Sequence, residues 1–311
     1  MAQLSPVSKK CPVISYFVVT INLVSVVCLT SVSAQTQTWQ LNPKEPLEKY
    51  DMPPVYIYRL ETSPRTISQF GLFVSYQVNV DANGNNIAGD AANEPAIAVD
   101  PTDGNRMAVG WRQFNTVSSN FRQGGWGFTT DGGIHWSFPG VLQSNVFRSD
   151  PVLYSDETGM FFYLSLLETF CVDIWGSSNG AQSWMWLPRL DGGALGGDKQ
   201  WFTVDRTSGL GHGYQYQTWS PAGTCDGGSF NRSTDGGVTW SVPVSIPNSP
   251  IWGTVDVASN HQVFLGAGDG GSSFWCIRSS NANRPGTPTF DQVTTVDMGG
   301  SLVSDRLIRK A

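Results

Sequence analysis

Thr129-Thr130-Asp131-Gly132-Gly133-Ile134-His135-Trp136, Ser177-Ser178-Asn179-Gly180-Ala181-Gln182-Ser183-Trp184 and Ser233-Thr234-Asp235-Gly236-Gly237-Val238-Thr239-Trp240 are three copies of one phrase. A hydroxyl residue opens it, Asp or Asn stands two places on, Gly follows, and Trp closes it. Ser279-Ser280-Asn281 reads as the start of a degraded fourth copy. The copies begin 48, 56 and 46 residues apart, the length of one four-stranded propeller blade. A period of this size marks a stacked or circular array.

Short polar side chains such as those of Asp131 and Asp235 bond to backbone N–H groups two residues on and fix a tight turn. Gly132-Gly133 and Gly236-Gly237 take the positive φ that such a hairpin requires. Trp136, Trp184 and Trp240 then return into the next strand with a large apolar surface to bury. One Asp-Gly turn before an aromatic residue is ordinary; three in period are a hairpin clasp repeated per unit. Asp131, Trp136, Asn179, Trp184, Asp235 and Trp240 are therefore read as structural residues.

A second phrase recurs 28 to 36 residues ahead of each clasp: Asn93-Glu94-Pro95-Ala96-Ile97-Ala98-Val99-Asp100, Ser149-Asp150-Pro151-Val152-Leu153-Tyr154-Ser155-Asp156 and Asp198-Lys199-Gln200-Trp201-Phe202-Thr203-Val204-Asp205. Each opens on a polar or charged residue, runs through a short apolar strand and leaves on Asp. Further strands are expected at 107–111, 161–166 and 214–219, and a less regular fourth unit around 249–265. The unit is strand, strand, strand, clasp, strand, with blades starting near Asn93, Ser149, Asp198 and Thr254.

The first strand of a propeller blade lines the central channel, so charged residues at its start gather there from different blades. Glu94, Asp150 and Asp198 are the acidic candidates; Lys199, Arg112, Arg148 and Arg206 are possible basic partners. Their bland reading is a set of strand-opening acids bonded to neighbouring N–H groups. Trp111, Trp175, Trp219 and Trp252 lie near strand ends, where an indole either stacks on a sugar or packs between blades.

Composition agrees with many-turned β-structure: 34 Gly, 12 Trp and 16 Phe, with only 14% charged residues. Residues 1–34 read as an export signal, with Lys9 and Lys10 before an apolar run and Val32-Ser33-Ala34 as a cleavage site before Gln35; a retained anchor is the competing reading. Cleavage moves the net charge from −6 to −8, so neither nucleic acid nor an anionic membrane surface is an expected partner. No integral membrane segment remains, and a secreted or cell-surface location follows. Residues 35–92 form a lead, a diverged blade by one reading, and 93–311 the blades.

Cys171, Cys225 and Cys276 survive cleavage, an odd number that allows one intrachain disulfide and leaves one thiol. No Cys-x-x-Cys pair exists and His135, His212 and His261 are scattered, so no metal site and no cofactor is expected. Asp81-Ala82-Asn83-Gly84-Asn85 has the Gly misplaced for an EF-hand and reads as a polar loop. Asn231-Arg232-Ser233 is formally a glycosylation sequon.

The clasp residues resemble the Asp box, or bacterial neuraminidase repeat, of sialidases and related β-propellers, over roughly residues 93 to 290. The resemblance implies six or seven blades in full, more than this chain holds at its own period, and 301–311 reads as a blade opening that breaks off; an incomplete sequence is expected. It also implies that the clasps lie on the blade periphery, and that a glycan or glycoconjugate is the partner. Sialidase chemistry in that family uses three arginines on the sugar carboxylate, a Tyr nucleophile with a carboxylate partner, and an acid for the leaving oxygen. The family's Arg-Ile-Pro phrase is absent here: in Tyr58-Arg59-Leu60 the next residue is Glu61. No catalytic role is carried over, and Asp150, Glu94, Arg148 and Arg112 stand as catalytic candidates by position, Asp198, Lys199 and Arg206 as ligand-binding ones. Tyr214 and Tyr216 are conceivable nucleophiles on an inner strand. Two readings stay open: an exo-sialidase-like glycoside hydrolase, and a non-catalytic propeller that binds carbohydrate or protein. Convergence of guanidinium groups in one pocket separates them.

Overall fold

Short apolar runs broken by Gly, Pro and Asx turns fold as antiparallel sheets in chain order. The computed structural model describes residues 61–187, 196–225, 227–271, 273–297 and 299; the expected export signal at 1–34 and the stretch 301–311 lie outside the described residues. All the named elements among the described residues are strands. The lead forms two small ribbons, with β1 (Thr62–Ser63) paired to β4 (Asn86–Ile87) and β2 (Ile67–Phe70) to β3 (Phe73–Tyr76). Asp81 closes the loop between them, its Oδ1 accepting from the N–H groups of Asn83 and Asn85.

The first blade is β5 (Ala91–Val99), β6 (Met107–Phe114), β7 (Arg122–Thr129) and β8 (Ser137–Val141), hydrogen-bonded in that order. The second is β9 (Ser149–Ser155), β10 (Phe161–Leu166), β11 (Val172–Ser177) and β12 (Met185–Trp186). The third holds β13 (Trp201–Val204), β14 (Gln215–Thr218) and β15 (Phe230–Ser233), and the fourth β16 (Trp252–Val257), β17 (Val263–Gly268), β18 (Phe274–Ser279) and β19 (Gln292–Thr295). The fold is an all-β propeller array whose innermost strands β5, β9, β13 and β16 are neighbours in succession.

The third blade departs from the expected four strands. After its clasp the chain runs beside β15 but makes only one isolated bridge, Phe230 to Val244. Pro243 stands in that segment without an N–H to give, as Pro139 does in β8, where the ladder survives with a shift in register.

The core lies between blades. Leu153, Phe161, Tyr163 and Trp175 of blade two pack against Ala98 and Ala108 of blade one; Val152, Phe162 and Leu164 meet Phe202, Val204 and Trp240 of blade three; Tyr216 and Phe230 meet Val255, Leu265 and Ile277 of blade four. Close packing is visible at Gly110, where an added Cβ would stand 2.5 Å from Leu153 Cδ1.

The clasps follow the third strand of their units, but the bonding differs from the two-residue pattern expected. Asp131 Oδ1 accepts from the N–H groups of Ile134 and His135, three and four residues on, while the Thr129 hydroxyl donates to Asp131 and accepts from Gly133 N–H. Asp235 accepts from Thr239 N–H, with Ser233 in the hydroxyl role, and Asn179 with Ser177 repeats the arrangement. The opening hydroxyl is thus part of the device, because it takes the N–H that the carboxylate does not reach. Ser279 and Asn281 build a wider fourth clasp: the Ser279 hydroxyl donates to Asn281 and accepts from Ala282 N–H, three residues on, while Asn281 Oδ1 accepts from Thr289 N–H, eight residues on, at 2.8 Å.

The three tryptophans are not equivalent. Trp240 is 5% exposed and belongs to the core between blades two and three. Trp184 is half-buried against the core between blades one and two, and Trp136 is half-buried outside these clusters. The expectation that all three are buried is corrected for Trp136 and Trp184.

Candidate functional site

One residue in or just before the first part of each innermost strand has an unusual backbone. Glu94, Asp150 and Lys199 adopt φ of 50°, 44° and 54°, and Ser249 before the fourth blade adopts 47°. The left-handed region is disfavoured for a residue with a Cβ. Glu94, Asp150 and Ser249 each precede a proline, which also bars the right-handed helical region and interrupts the ladder. In β5 the register shifts between Asn93 and Ala96, a bulge that re-aims the Glu94 side chain. The same irregularity recurs in repeat after repeat, so it is a feature of the unit.

These positions converge on one cavity of about 800 Å³, lined among others by Glu94 and Ile97 from β5, Asp150 of β9, Lys199 and Trp201 at β13, and Trp252 of β16. All four innermost strands contribute. Two indoles are accessible in it, Trp201 at 44% and Trp252 at 54% exposure.

Its charges form a cross-blade network. Lys199 Nζ stands 3.0 Å from Asp150 Oδ2 and 3.6 Å from Asp198 Oδ1. Asp150 Oδ1 accepts from the Ser149 hydroxyl at 2.6 Å, and Gln200 Nε2 donates to the Asp150 carbonyl. Burial pushes the Asp150 carboxyl up, but the Lys199 ammonium and the Ser149 hydroxyl outweigh it and hold it below its ordinary 3.8. Burial pulls Lys199 down, and Asp150 with Asp198 outweighs that in turn, so the ammonium is held above its ordinary 10.5. Both stay charged at neutral pH. Glu94 Oε1 pairs with Arg112 Nη2 at 2.6 Å.

The arginines do not converge. Arg112 serves Glu94 and Asn93. Arg148 is 2% exposed, pairs with Asp173 at 2.6 Å and lies over the Trp175 ring. Arg206 follows the far end of β13, stacks on Tyr154 and donates to the Ser155 carbonyl. Arg278 pairs with Asp291 in the fourth blade. The structure therefore brings Glu94, Asp150 and Lys199 into the cavity, with Arg112 and Asp198 behind them, and places Arg148 and Arg206 elsewhere. Arg206 lies past the far end of β13 and so reaches the opposite side, whereas Arg148, at the same end as Asp150, is drawn away by its pair with Asp173.

Tyr216 is fully buried, its phenol pushed up by burial and by Asp205, and donates to the Ala282 carbonyl; Tyr214 packs beside the same core. Neither lines the cavity. Trp111, Trp175 and Trp219 are buried, leaving Trp252 as the accessible one of the four expected indoles. Trp201 was the aromatic that sequence reasoning missed; its signal is the break in the Asx-Pro pattern at Gln200-Trp201. Asn231 of the sequon is fully buried on β15, out of reach of a glycosylating enzyme.

No protein-family model and no curated protein sequence matches the chain. Among solved structures, a Dyadobacter fermentans protein of unknown function matches at 14% identity and TM-score 0.44, over 69% of this chain and 73% of that one. A GH74 enzyme of Niastella koreensis matches at 18% and 0.41, over 63% of this chain and 29% of the enzyme. A Hadza microbial sialidase matches at 13% and 0.48, over 72% of this chain and 49% of the sialidase. The chain thus spans about half of that sialidase and less than a third of the GH74 enzyme, and the likenesses are too distant to assign it an activity.

Proposed function

We propose that the chain is part of a secreted glycan-binding propeller whose axial cavity takes a neutral or cationic, hydroxyl-rich sugar. The observation that carries the reading is the cavity lining, in which Trp201 and Trp252 share one space with Glu94, Asp150 and Lys199. A pyranose offers an apolar C–H face to an indole and hydroxyl donors to carboxylates, and concave sites with a few fixed polar groups suit such ligands. Two carboxylates against one ammonium leave the lining net acidic. An anionic sugar meets no group of three guanidinium ions there, because Arg112 holds Glu94 and Arg148 holds Asp173.

Binding is favoured over hydrolysis by the same groups. In the cavity, Lys199 and the Ser149 hydroxyl hold the Asp150 carboxyl below its ordinary pKa. A general acid for a leaving oxygen needs the opposite shift. Export is supported by the leader-like sequence at 1–34 and by the Cys171–Cys225 disulfide, a bond suited to oxidising compartments.

The test pairs a glycan array with a fluorogenic sialoside assay on the full chain. Binding to neutral or amino sugars that Trp201→Ala and Trp252→Ala abolish, without sialoside turnover, is expected. Sialoside turnover lost in Arg148→Ala would overturn the reading in favour of the hydrolase.

A further inference from the structure

The segment before β13, which carries Lys199 to Asp150, is held in place at its N-terminal side. That segment is stitched to the loop between β14 and β15: Asp198 N–H donates to Gly223 O at 2.7 Å, Ser220 N–H to Asp198 O at 2.8 Å, and Cys225 N–H to Gly196 O at 3.1 Å. Gly197 bridges to Thr224, whose hydroxyl accepts from Trp219 Nε1 at 3.0 Å. The contact is so close that a Cβ on Gly197 would stand 2.4 Å from Gly223 O. The loop is tied in turn to the second blade, since Cys225 is bonded to Cys171 in the turn between β10 and β11. Asp150 opens that same second blade.

We infer that the Cys171–Cys225 disulfide is a positioning element of the axial site, fixing the strand opening of blade three on blade two so that Lys199 meets Asp150. Blades two and three already share a buried apolar core of Val152, Phe162, Phe202 and Trp240. The fold has that core without the bond, whereas the 196–199 segment is held by the tethered loop. Cutting the bond frees the loop, then the segment, then the ammonium. The consequence for ligand binding rests on the proposed reading of the cavity; the effect on Lys199 does not.

The experiment measures acylation of Lys199 by an N-hydroxysuccinimide ester in the full chain, read by mass spectrometry, with Lys44, Lys49 and Lys310 as internal references. A lysine held in an ion pair reacts slowly, and a released one reacts fast. Oxidised protein, protein reduced at the partly exposed Cys171, and Cys171→Ser/Cys225→Ser are compared well below the unfolding temperature, with circular dichroism reporting the sheet. A several-fold rise at Lys199, with the reference lysines unchanged and the sheet signal retained, is expected. Unchanged labelling with a lower Tm would show a structural staple only and overturn the inference. Loss of the sheet signal on reduction would overturn it too, because the bond would then hold the fold. If the double variant fails to fold, the reduced protein carries the comparison. A chain that binds no glycan yet shows the labelling change would sink the ligand reading and leave the positioning role intact.

Discussion

Glu94 and Asp150 hold one backbone conformation, φ 50° and 44°, each directly before a proline at the start of an innermost strand. They belong to adjacent blades and line one cavity. A left-handed residue with a side chain costs about 1–2 kcal/mol, and such strain persists where surrounding structure enforces it, often at ligand sites. Here the enforcement is visible: Arg112 grips Glu94, and Lys199 with Ser149 grips Asp150.

Asp150→Asn tests the cross-blade pair. Removing the charge leaves Lys199 with Asp198 and the more distant Glu94, and the expected loss is about 1–2 kcal/mol, below that of a fully buried pair because the lysine side chain is 44% exposed. The native Asp150 carboxyl titrates below its unfolded value of 3.8, so its contribution is present above pH 3.8 and lost as pH falls through the lower native value. Lys199 has the opposite sign: its contribution is present below 10.5 and lost as pH rises through the higher native value. Urea unfolding from pH 2 to 7 should show the gap between wild type and variant closing at the acid end. A constant gap would mean that the ion pair is not its source.

The clasp tryptophans should rank by burial. Trp240→Ala, in the core between blades two and three, is expected to cost about 3–5 kcal/mol. Trp136→Ala, half-buried and outside the core clusters, should cost on the order of 1 kcal/mol, with Trp184→Ala between them. Denaturant midpoints on the three variants decide it, and equal losses would mean that the clasp acts through its turn alone.

The clasp hydroxyl is a separate test. Ser233 is 1% exposed, donates to Asp235 and accepts from Gly237 N–H at 2.8 Å. Ser233→Ala leaves that buried N–H unpaired, for a loss of about 1–3 kcal/mol. Ser233→Thr keeps the hydroxyl, as Thr129 does in the first clasp, and should recover most of it. Thermal unfolding of the pair separates a lost hydrogen bond from a general intolerance of the site.

Repeat period and clasp composition made the blades legible, since a hydroxyl, an Asx, a Gly and a Trp in fixed order can only close one kind of turn. Strand starts near 93, 149 and 198 were readable for the same reason, because each phrase begins at its polar residue. The cavity was half legible: Glu94, Asp150 and Lys199 follow from blade geometry, but the partner of each arginine does not. Arg148 stands two residues from Asp150 in sequence, a spacing that shares a face in a regular strand, yet its guanidinium turns to Asp173 on β11. Cross-strand pairing of this kind is a tertiary fact. The left-handed openings left little trace in composition: Asp visits positive φ more readily than most residues, but Glu and Lys at the equivalent positions carry no such signal.

That backbone permits a prediction with an inverted sign. In an ordinary strand, valine is preferred over glycine by up to about 1 kcal/mol, since the branched side chain packs and glycine loses more entropy. At position 94 the order should reverse. Glu94→Gly relieves the left-handed strain, which offsets the larger entropy of the unfolded chain, and its stability should lie within about 1 kcal/mol of wild type. Glu94→Val puts a β-branched residue where it is a steric outlier and should fall about 2 kcal/mol or more below the glycine variant. Both lack the carboxylate, so both should lose affinity for the sugar proposed as the ligand, while only one loses stability. Chemical unfolding beside a binding titration reads the two effects separately. A valine variant as stable as the glycine one would mean that the chain at Glu94 relaxes into an ordinary strand, and that the bulge aiming this side chain into the cavity is not enforced by its surroundings.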